Sequence, residues 1–356
     1  MILFTVGPVQ MYPETLKTEG TQLPYFRTEN FGSMMKESEE LFLRSVKAPE
    51  KAYFIALTSS GTGAMDAAVQ NVLNGHDKVL VINGGSFGSR FADITRRYGI
   101  DTDTYDIPFL CPFSKEEFEK YSGRGYTALL VNACETSTGQ KYDLDYLGDF
   151  CRRNDMIFIV DAVSAYLADP VDMEGQKIDV LITASQKALA LSPGVSLIAL
   201  SERAKDRCSG HKASYYFDFL SYIDNQKRGQ PPFTSAVGTM IALNQRLKAI
   251  MAEGTEKENA LHAARAEYFR KALMNLPVSI PDIPLSNCCT PVIFPEKNAG
   301  TAYKTLMEEY GLVLTPSGGG WKDIQLRVGH LGNLSEADYD KLLEAMQHVL
   351  DKRKDD

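Results

Sequence analysis

The sequence predicts an α/β protein with a mostly parallel central sheet and a smaller C-terminal α/β unit. Continuous apolar runs recur between residues 53 and 200, with helix-patterned stretches between several of them. Runs that are apolar throughout, without polar alternation, belong to strands covered on both faces. After Pro231-Pro232 the texture changes to long helical patterns and then to a short strand–helix–strand pattern.

Taken in order, the strand-like runs are Phe54–Leu57, Val79–Ile82, Ala128–Val131, Ile157–Val160, Val180–Thr183 and Val195–Leu200. Helical spacing marks Ala64–Leu73, Phe87–Arg97 and Asp143–Arg153. Strands alternating with helices in this way define a sandwich whose ligands bind beyond the carboxyl ends of the strands. Farther on, helices are expected over Ser235–Met251 and Lys257–Met274. Strands at Pro291–Phe294 and Ile324–Val328 flank a helix at Ala302–Tyr310. A last helix opens at Ser335-Glu336-Ala337-Asp338, a capping-box pattern, with Tyr339, Leu342, Leu343, Met346 and Leu350 as its packing stripe. The expected division is 1–245 for the N-terminal segment and large domain and 246–356 for the small one. The mixed-charge tail from Asp351 to Asp356 reads as a solvated, frayed end.

The chain has 356 residues, 44% of them hydrophobic, and a net charge of −8. An acidic balance argues against nucleic acid. No run is long enough to span a membrane, and the start, Met1-Ile2-Leu3-Phe4-Thr5 before Gly7-Pro8, reads as mature structure. Cys111, Cys134, Cys151, Cys208, Cys288 and Cys289 lack metal or CxxC spacing. Reduced thiols in a cytoplasmic protein are expected. The histidines suggest no metal site.

Three strand exits carry the chemistry. Lys187, in Ser185-Gln186-Lys187-Ala188-Leu189, follows a buried run into an apolar collar. An amine becomes a Schiff-base nucleophile when desolvation lowers its pKa. Asp161 ends the run Ile157–Val160 and could keep a pyridine nitrogen protonated. Ser60-Gly61-Thr62-Gly63 enters a helix, and its free N–H groups suit a phosphate. It is neither a dinucleotide fingerprint nor a P-loop. Amine, carboxylate and anion cradle together fit pyridoxal 5'-phosphate (PLP). Phe87 could stack on a flat ring, and Thr136 could hydrogen-bond a phenolic oxygen. Arg327 lies in a strand-like run, where a guanidinium fork would meet a substrate carboxylate.

These motifs, in this order, resemble the class V aminotransferases, in particular the alanine–glyoxylate and serine–pyruvate branch, with the 2-aminoethylphosphonate–pyruvate transaminases beside it. The similar segments are Thr5-Val6-Gly7-Pro8, Phe26-Arg27-Thr28-Glu29-Asn30-Phe31, Ser60-Gly61-Thr62-Gly63, Asn83 to Arg90, Glu135-Thr136-Ser137-Thr138-Gly139, Val160-Asp161-Ala162-Val163-Ser164, Ser185 to Leu189 and Arg327-Val328-Gly329 with Gly332. Val6 replaces a usual proline and Phe26 a usual histidine.

The resemblance implies the aspartate-aminotransferase type of PLP fold and a ping-pong transfer of an amino group from a small donor to a 2-oxoacid. It implies Lys187 and Asp161 as catalytic. Gly61, Thr62, Phe87, Thr136, Val163, Gln186 and Thr234 would hold the cofactor, and Arg327 and Gly7 the substrate. It also implies a homodimer in which Thr234 reaches the neighbouring subunit's phosphate. Pro231 stands where the alanine–glyoxylate branch has a tyrosine, and Phe233-Thr234 is similar to the phosphonate enzymes, whereas Gln186 before the lysine favours the alanine–glyoxylate branch. The alternatives are therefore a phosphonate transaminase, a lyase or desulfurase of the same fold, and a non-catalytic PLP-binding regulator. The last two lack their expected marks, a loop cysteine with a stacking histidine and a DNA-binding appendage.

Overall fold

The computed structural model describes residues 1–208, 214–294 and 296–351. Seven strands form the central sheet: β1 (Tyr53–Leu57), β2 (Lys78–Asn83), β3 (Asp101–Asp106), β4 (Ala128–Asn132), β5 (Ile157–Asp161), β6 (Val180–Ala184) and β7 (Ser196–Leu200). Their order in space is β1-β7-β6-β5-β4-β2-β3. Strands β3, β2, β4, β5 and β6 are parallel neighbours. Strand β7 runs antiparallel to both β6 and β1. Every residue of β4 to β7 is buried, as runs without polar alternation require. Alternate residues feed two apolar clusters, Leu129, Phe158, Leu181 and Leu197 on one face and Leu130, Ile159, Ile182 and Ile198 on the other.

The strands and helices that the sequence predicts lie within a few residues of their expected positions; among the elements it did not signal are one strand of the central sheet and one long helix. Strand β3 reads Asp-Thr-Asp-Thr-Tyr-Asp and has no apolar run. It is the sheet's outer edge, where charge discourages pairing with another chain. The 17-residue helix Glu29–Ser45 was also unforeseen. Its buried face mixes Gly32, Ser38 and Ser45 with Phe31, Met35 and Phe42, so its apolar stripe is thin.

Two helices start directly past strand ends and aim their N-termini at one edge of the sheet. Helix Gly61–Val72 follows β1, and helix Ser86–Arg97 follows β2. Ser60 caps the first by accepting from the Gly63 N–H at 3.3 Å.

The C-terminal layer is a three-stranded antiparallel sheet, with Gln325–Gly329 between Cys289–Ile293 and Thr315–Pro316. Helices Thr255–Leu273, Ala299–Tyr310 and Glu336–Asp351 contribute to its separate core, which includes Phe269, Leu306, Leu326 and Tyr339. The chain's first strand, Ile2–Leu3, pairs with Leu312–Val313, and Phe4 sits in this core. At Ser335 half of the capping box forms. The Asp338 carboxylate accepts from the Ser335 N–H at 2.9 Å and its hydroxyl at 2.7 Å. Residues 352–356 of the expected frayed tail lie outside the described residues. Among the described residues no helix is long and apolar enough to cross a membrane.

Phe158 is fully buried at the middle of the sheet, three residues before Asp161. Phe158→Ala should destabilise the protein by about 3–5 kcal/mol, the usual cost of removing a buried aromatic side chain. Urea unfolding followed by far-UV circular dichroism checks the value.

Candidate active site

The sheet places its chemistry along the carboxyl ends of the parallel strands. Asp161 closes β5, and β6 runs out into Ser185-Gln186-Lys187. The turn that carries Lys187 is held internally. Ser185 Oγ donates to Ser192 O at 2.7 Å, Leu191 N donates to Ser185 O at 3.0 Å and Ala190 N donates to Lys187 O at 2.8 Å. Ala190 adopts a left-handed backbone, φ +55°, a conformation that costs a residue with a Cβ roughly 1–2 kcal/mol. The lysine is thus presented by a tight, strained loop on a rigid strand.

A cavity of about 120 Å³ lies here, lined by Ser60, Gly61, Thr62, Met65, Phe87, Arg90, Thr136, Asp161, Val163, Ser164, Gln186 and Lys187. The structure therefore brings together eight of the residues singled out from sequence: Gly61, Thr62, Phe87, Thr136, Asp161, Val163, Gln186 and Lys187. Gly7 and Arg327 adjoin the group. Thr234 is exposed and does not line its own chain's cavity.

Lys187 Nζ donates to the Val6 carbonyl at 2.9 Å. It makes no ion pair among the described residues, and burial holds its pKa below the ordinary lysine value. That is the condition an amine nucleophile needs. Gly7 explains the close approach of the N-terminal segment. It has φ +148°, and a Cβ there would sit 2.6 Å from Lys187 Nζ.

Asp161 is buried and accepts from the Val163 N–H at 2.8 Å and the Asn132 amide at 2.6 Å. Burial pushes its pKa up to about 6, and these two donors oppose the rise. The carboxylate still ionises near neutral pH and can face a cationic ring nitrogen. Thr136 Oγ1 and Ser164 Oγ are 2.6 Å apart. Gly61 packs so closely that a Cβ would lie 2.9 Å from Val163 Cγ2.

Arg327 Nη1 donates to Thr136 O at 3.0 Å and Nη2 to Pro316 O at 2.9 Å. Its Nε is buried without a partner among the described residues. Burial lowers its pKa, and it has no ion pair among the described residues. The internal ion pair that would have explained it structurally is not formed there. Arg27, in the Phe26–Phe31 segment, donates to the carbonyls of Pro231 at 2.7 Å and Pro232 at 3.2 Å.

The sequence reading missed supporting residues. Asn132 sits opposite Asp161 in the β4–β5 register, a relation visible only once the strands are paired. Glu135 was read only as part of a motif. Its carboxylate accepts from the N–H groups of Phe87 at 3.2 Å, Gly88 at 2.9 Å and Ser137 at 3.1 Å. Helix Ser86–Arg97 has Gly85 at its N-cap and no capping side chain of its own, so Glu135 supplies the cap from another strand and fixes Phe87.

Cys134 and Cys288 approach with sulfurs 3.4 Å apart, and all six cysteines are free thiols. Among the described residues no cysteine lines the cavity.

The donor set suits PLP. It combines a desolvated amine, a buried carboxylate, the N-terminus of a 12-residue helix and a half-buried guanidinium held by carbonyls. Fold and site define a PLP-dependent enzyme of the aspartate-aminotransferase type.

Residues 10–312 match the class V aminotransferase family. An uncharacterized aminotransferase of Methanocaldococcus jannaschii is 30% identical over 94% of this chain and 89% of its own. The alanine–glyoxylate aminotransferase of Oryctolagus cuniculus is 28% identical over 98% of this chain and 92% of its own. The structure of an alanine–glyoxylate aminotransferase from Nostoc superposes with a TM-score of 0.92 at 26% identity, covering 98% of this chain and 95% of the other. The chain belongs to the class V aminotransferases and is a PLP-dependent transaminase.

The raised Asp161 pKa has a consequence for the cofactor-free protein. An acid whose folded pKa lies above its unfolded value stabilises the fold at low pH, and that contribution is lost as pH rises through the folded value. Relative to Asp161→Asn, the wild-type apoprotein should lose about 2 kcal/mol of stability between about pH 4.5 and pH 7, then level off. Urea unfolding of both proteins across this range measures the difference, and a flat difference would show Asp161 to be unshifted.

Proposed function

We propose that the enzyme moves an amino group from a small amine donor, such as alanine or serine, to a small 2-oxoacid, glyoxylate or pyruvate. The observation that carries this reading is the half-buried Arg327 guanidinium, whose Nε is closed off from solvent. It borders the Lys187–Asp161 site, lacks an anionic partner among the described residues and keeps an unused Nε. The alanine–glyoxylate aminotransferases among its relatives support the same choice.

PLP, when bound, supplies an electron sink for the donor's α-carbon. The chain's residues do the rest. Lys187 holds the cofactor's carbonyl carbon at rest. Freed when a donor binds, its amine would be the base that takes the proton from the donor's α-carbon. Burial lowers its pKa, which favours the neutral amine that this role needs. Asp161 keeps the ring nitrogen protonated, with Asn132 and the Val163 N–H orienting the carboxylate. Phe87 and Val163 pack on the ring, and Thr136 supports its oxygen. Gly61, Thr62 and Gln186 cradle the phosphate at the helix N-terminus. Arg327 orients the substrate carboxylate, and Gly7 leaves room beside Lys187.

Thr234 completes the phosphate seat from a second copy of the chain, so the active form is a homodimer. That assignment is supported by its exposure and by its absence from its own chain's cavity. The division into 1–245 and 246–356 is part of the same proposal. The separate apolar clusters support it, although helix Val237–Glu253 shares the large unit's core.

The test is a donor panel on the PLP-loaded enzyme, read by the cofactor's absorbance. Alanine or serine should convert the cofactor to its amino form, and glyoxylate or pyruvate should restore it. Conversion by 2-aminoethylphosphonate alone would overturn the substrate assignment.

Arg327→Ala should lower kcat/KM for a carboxylate donor by roughly 10- to 150-fold, since hydrogen bonds to charged groups contribute about 1.5–3 kcal/mol. Arg327→Lys should recover only part of the loss, because a point charge lacks the planar fork. Steady-state kinetics check both, with the cofactor's resting absorbance expected to persist.

A further inference from the structure

Arg90 is a charged residue of the cavity that the amino-group transfer itself does not use. It lies one turn into helix Ser86–Arg97 and lines the cavity beside Ser60, Gly61 and Thr62. Its guanidinium meets two neighbours. Nη1 donates to Thr62 Oγ1 at 2.8 Å, and the carbon Cζ sits 4.7 Å from the centre of the Phe87 ring. Among the described residues it forms no ion pair. The only other cation among the described residues that line the cavity is Lys187, which is turned toward Val6.

We propose that Arg90 is a positioning residue for the cofactor's phosphate. It donates to the Thr62 oxygen, so the single Thr62 hydroxyl hydrogen must point elsewhere, and it places a guanidinium charge at the phosphate loop. The inference rests on the reading that the phosphate sits at the N-terminus of helix Gly61–Val72.

Arg90 acts through the hydroxyl. A threonine hydroxyl has one hydrogen and can act as donor or acceptor. Arg90 can only donate, so it commits Thr62 Oγ1 as an acceptor on that side. The hydroxyl is left as a donor toward the side of the cavity where the loop N–H groups lie and where a phosphate oxygen needs donors. The cation behind it polarises the O–H and adds to the partial positive charge of the helix end. The same guanidinium lies over Phe87, whose backbone N–H is held by Glu135. Arg90 thus ties the phosphate cradle to the ring-stacking residue. Lysine could supply the charge but neither the fork nor the flat packing on the ring.

The test compares two ligands on the apoprotein, PLP and pyridoxal, which lacks the phosphate. Both react with the same lysine, so the ratio of their dissociation constants, pyridoxal over PLP, isolates the phosphate's contribution. Dissociation constants come from absorbance or Trp321 fluorescence titration.

Arg90→Gln should weaken PLP binding by roughly 10- to 100-fold, in keeping with a charge-assisted hydrogen bond, and pyridoxal binding by less than about threefold. Arg90→Lys should fall between wild type and Arg90→Gln. Thr62→Val should lower the same ratio, and adding Arg90→Gln to it should cost less than in the wild-type background, because both act through one hydroxyl.

Equal weakening of PLP and pyridoxal by Arg90→Gln would make Arg90 a support for Phe87 alone and overturn the proposal. So would a ratio lowered by Thr62→Val and untouched by Arg90→Gln. A ratio unchanged in both variants would instead remove the phosphate seat from this helix, which is the failure of the underlying reading. Should Arg90→Gln not fold, judged by its thermal melt, the ratio for Arg90→Lys decides. Lysine there keeps the charge and removes the planar fork, so a wild-type ratio would overturn the assignment of the fork to Thr62.

Discussion

The hydrogen bond from Lys187 Nζ to the Val6 carbonyl joins residues 181 apart in sequence and ties the central sheet's strand exit to the N-terminal segment. An unpaired buried ammonium costs several kcal/mol, and here a carbonyl dipole and the neighbouring Asp161 offset that cost only in part. The amine is therefore biased toward its neutral form. The carbonyl is delivered by a segment that belongs to the C-terminal layer. Phe4 N donates to Val313 O at 2.8 Å, Gly329 N donates to Phe4 O at 2.7 Å, and Val6 N donates to Thr315 Oγ1 at 2.9 Å. The lysine of the central sheet and the arginine of the small sheet are thus referenced to one extended stretch, residues 4 to 7. Glycine at position 7 lets that stretch press against the lysine's side chain.

Burial is the common cause of the site's electrostatics. It raises Asp161 and lowers Lys187 and Arg327. Each group is pushed toward its neutral form; two hydrogen bonds hold Asp161, two hold Arg327 and one holds Lys187. On the proposed function, a ligand carrying a ring cation and a carboxylate would relieve Asp161 and Arg327 together. The parallel sheet makes such a cluster possible. Strand ends β5 and β6 and the helix entries after β1 and β2 converge on one edge, where their side chains face one another. Glu135 and Asn132 hold this arrangement from β4 and the turn after it, so rigidity comes from the scaffold rather than from the reacting groups.

Much of this was legible in the sequence. The strands β4 to β7 announce themselves because burial on both faces forces unbroken apolar runs. Lys187, Asp161 and Gly61 stand out because a charge or a glycine turn directly after such a run is costly without a purpose. The edge strand Asp101–Asp106 and the helix Glu29–Ser45 were silent, because one is polar by position and the other buries small residues. The capping box at Ser335 formed only in half, since the Ser335 hydroxyl donates to Asp338.

The sequence by itself determined the strand–helix order, the residues at the strand exits and hence the cofactor class, since these follow from local patterns of burial and charge. Tertiary structure alone decided the acceptor for Lys187, the partner of Asp161, the cap on the Phe87 helix and the carbonyls that hold Arg327. Each of these joins residues brought together by strand register or by packing between layers. Sequence separations such as 181 between Val6 and Lys187 carry no local signal, because only the folded sheet brings such residues within hydrogen-bonding reach.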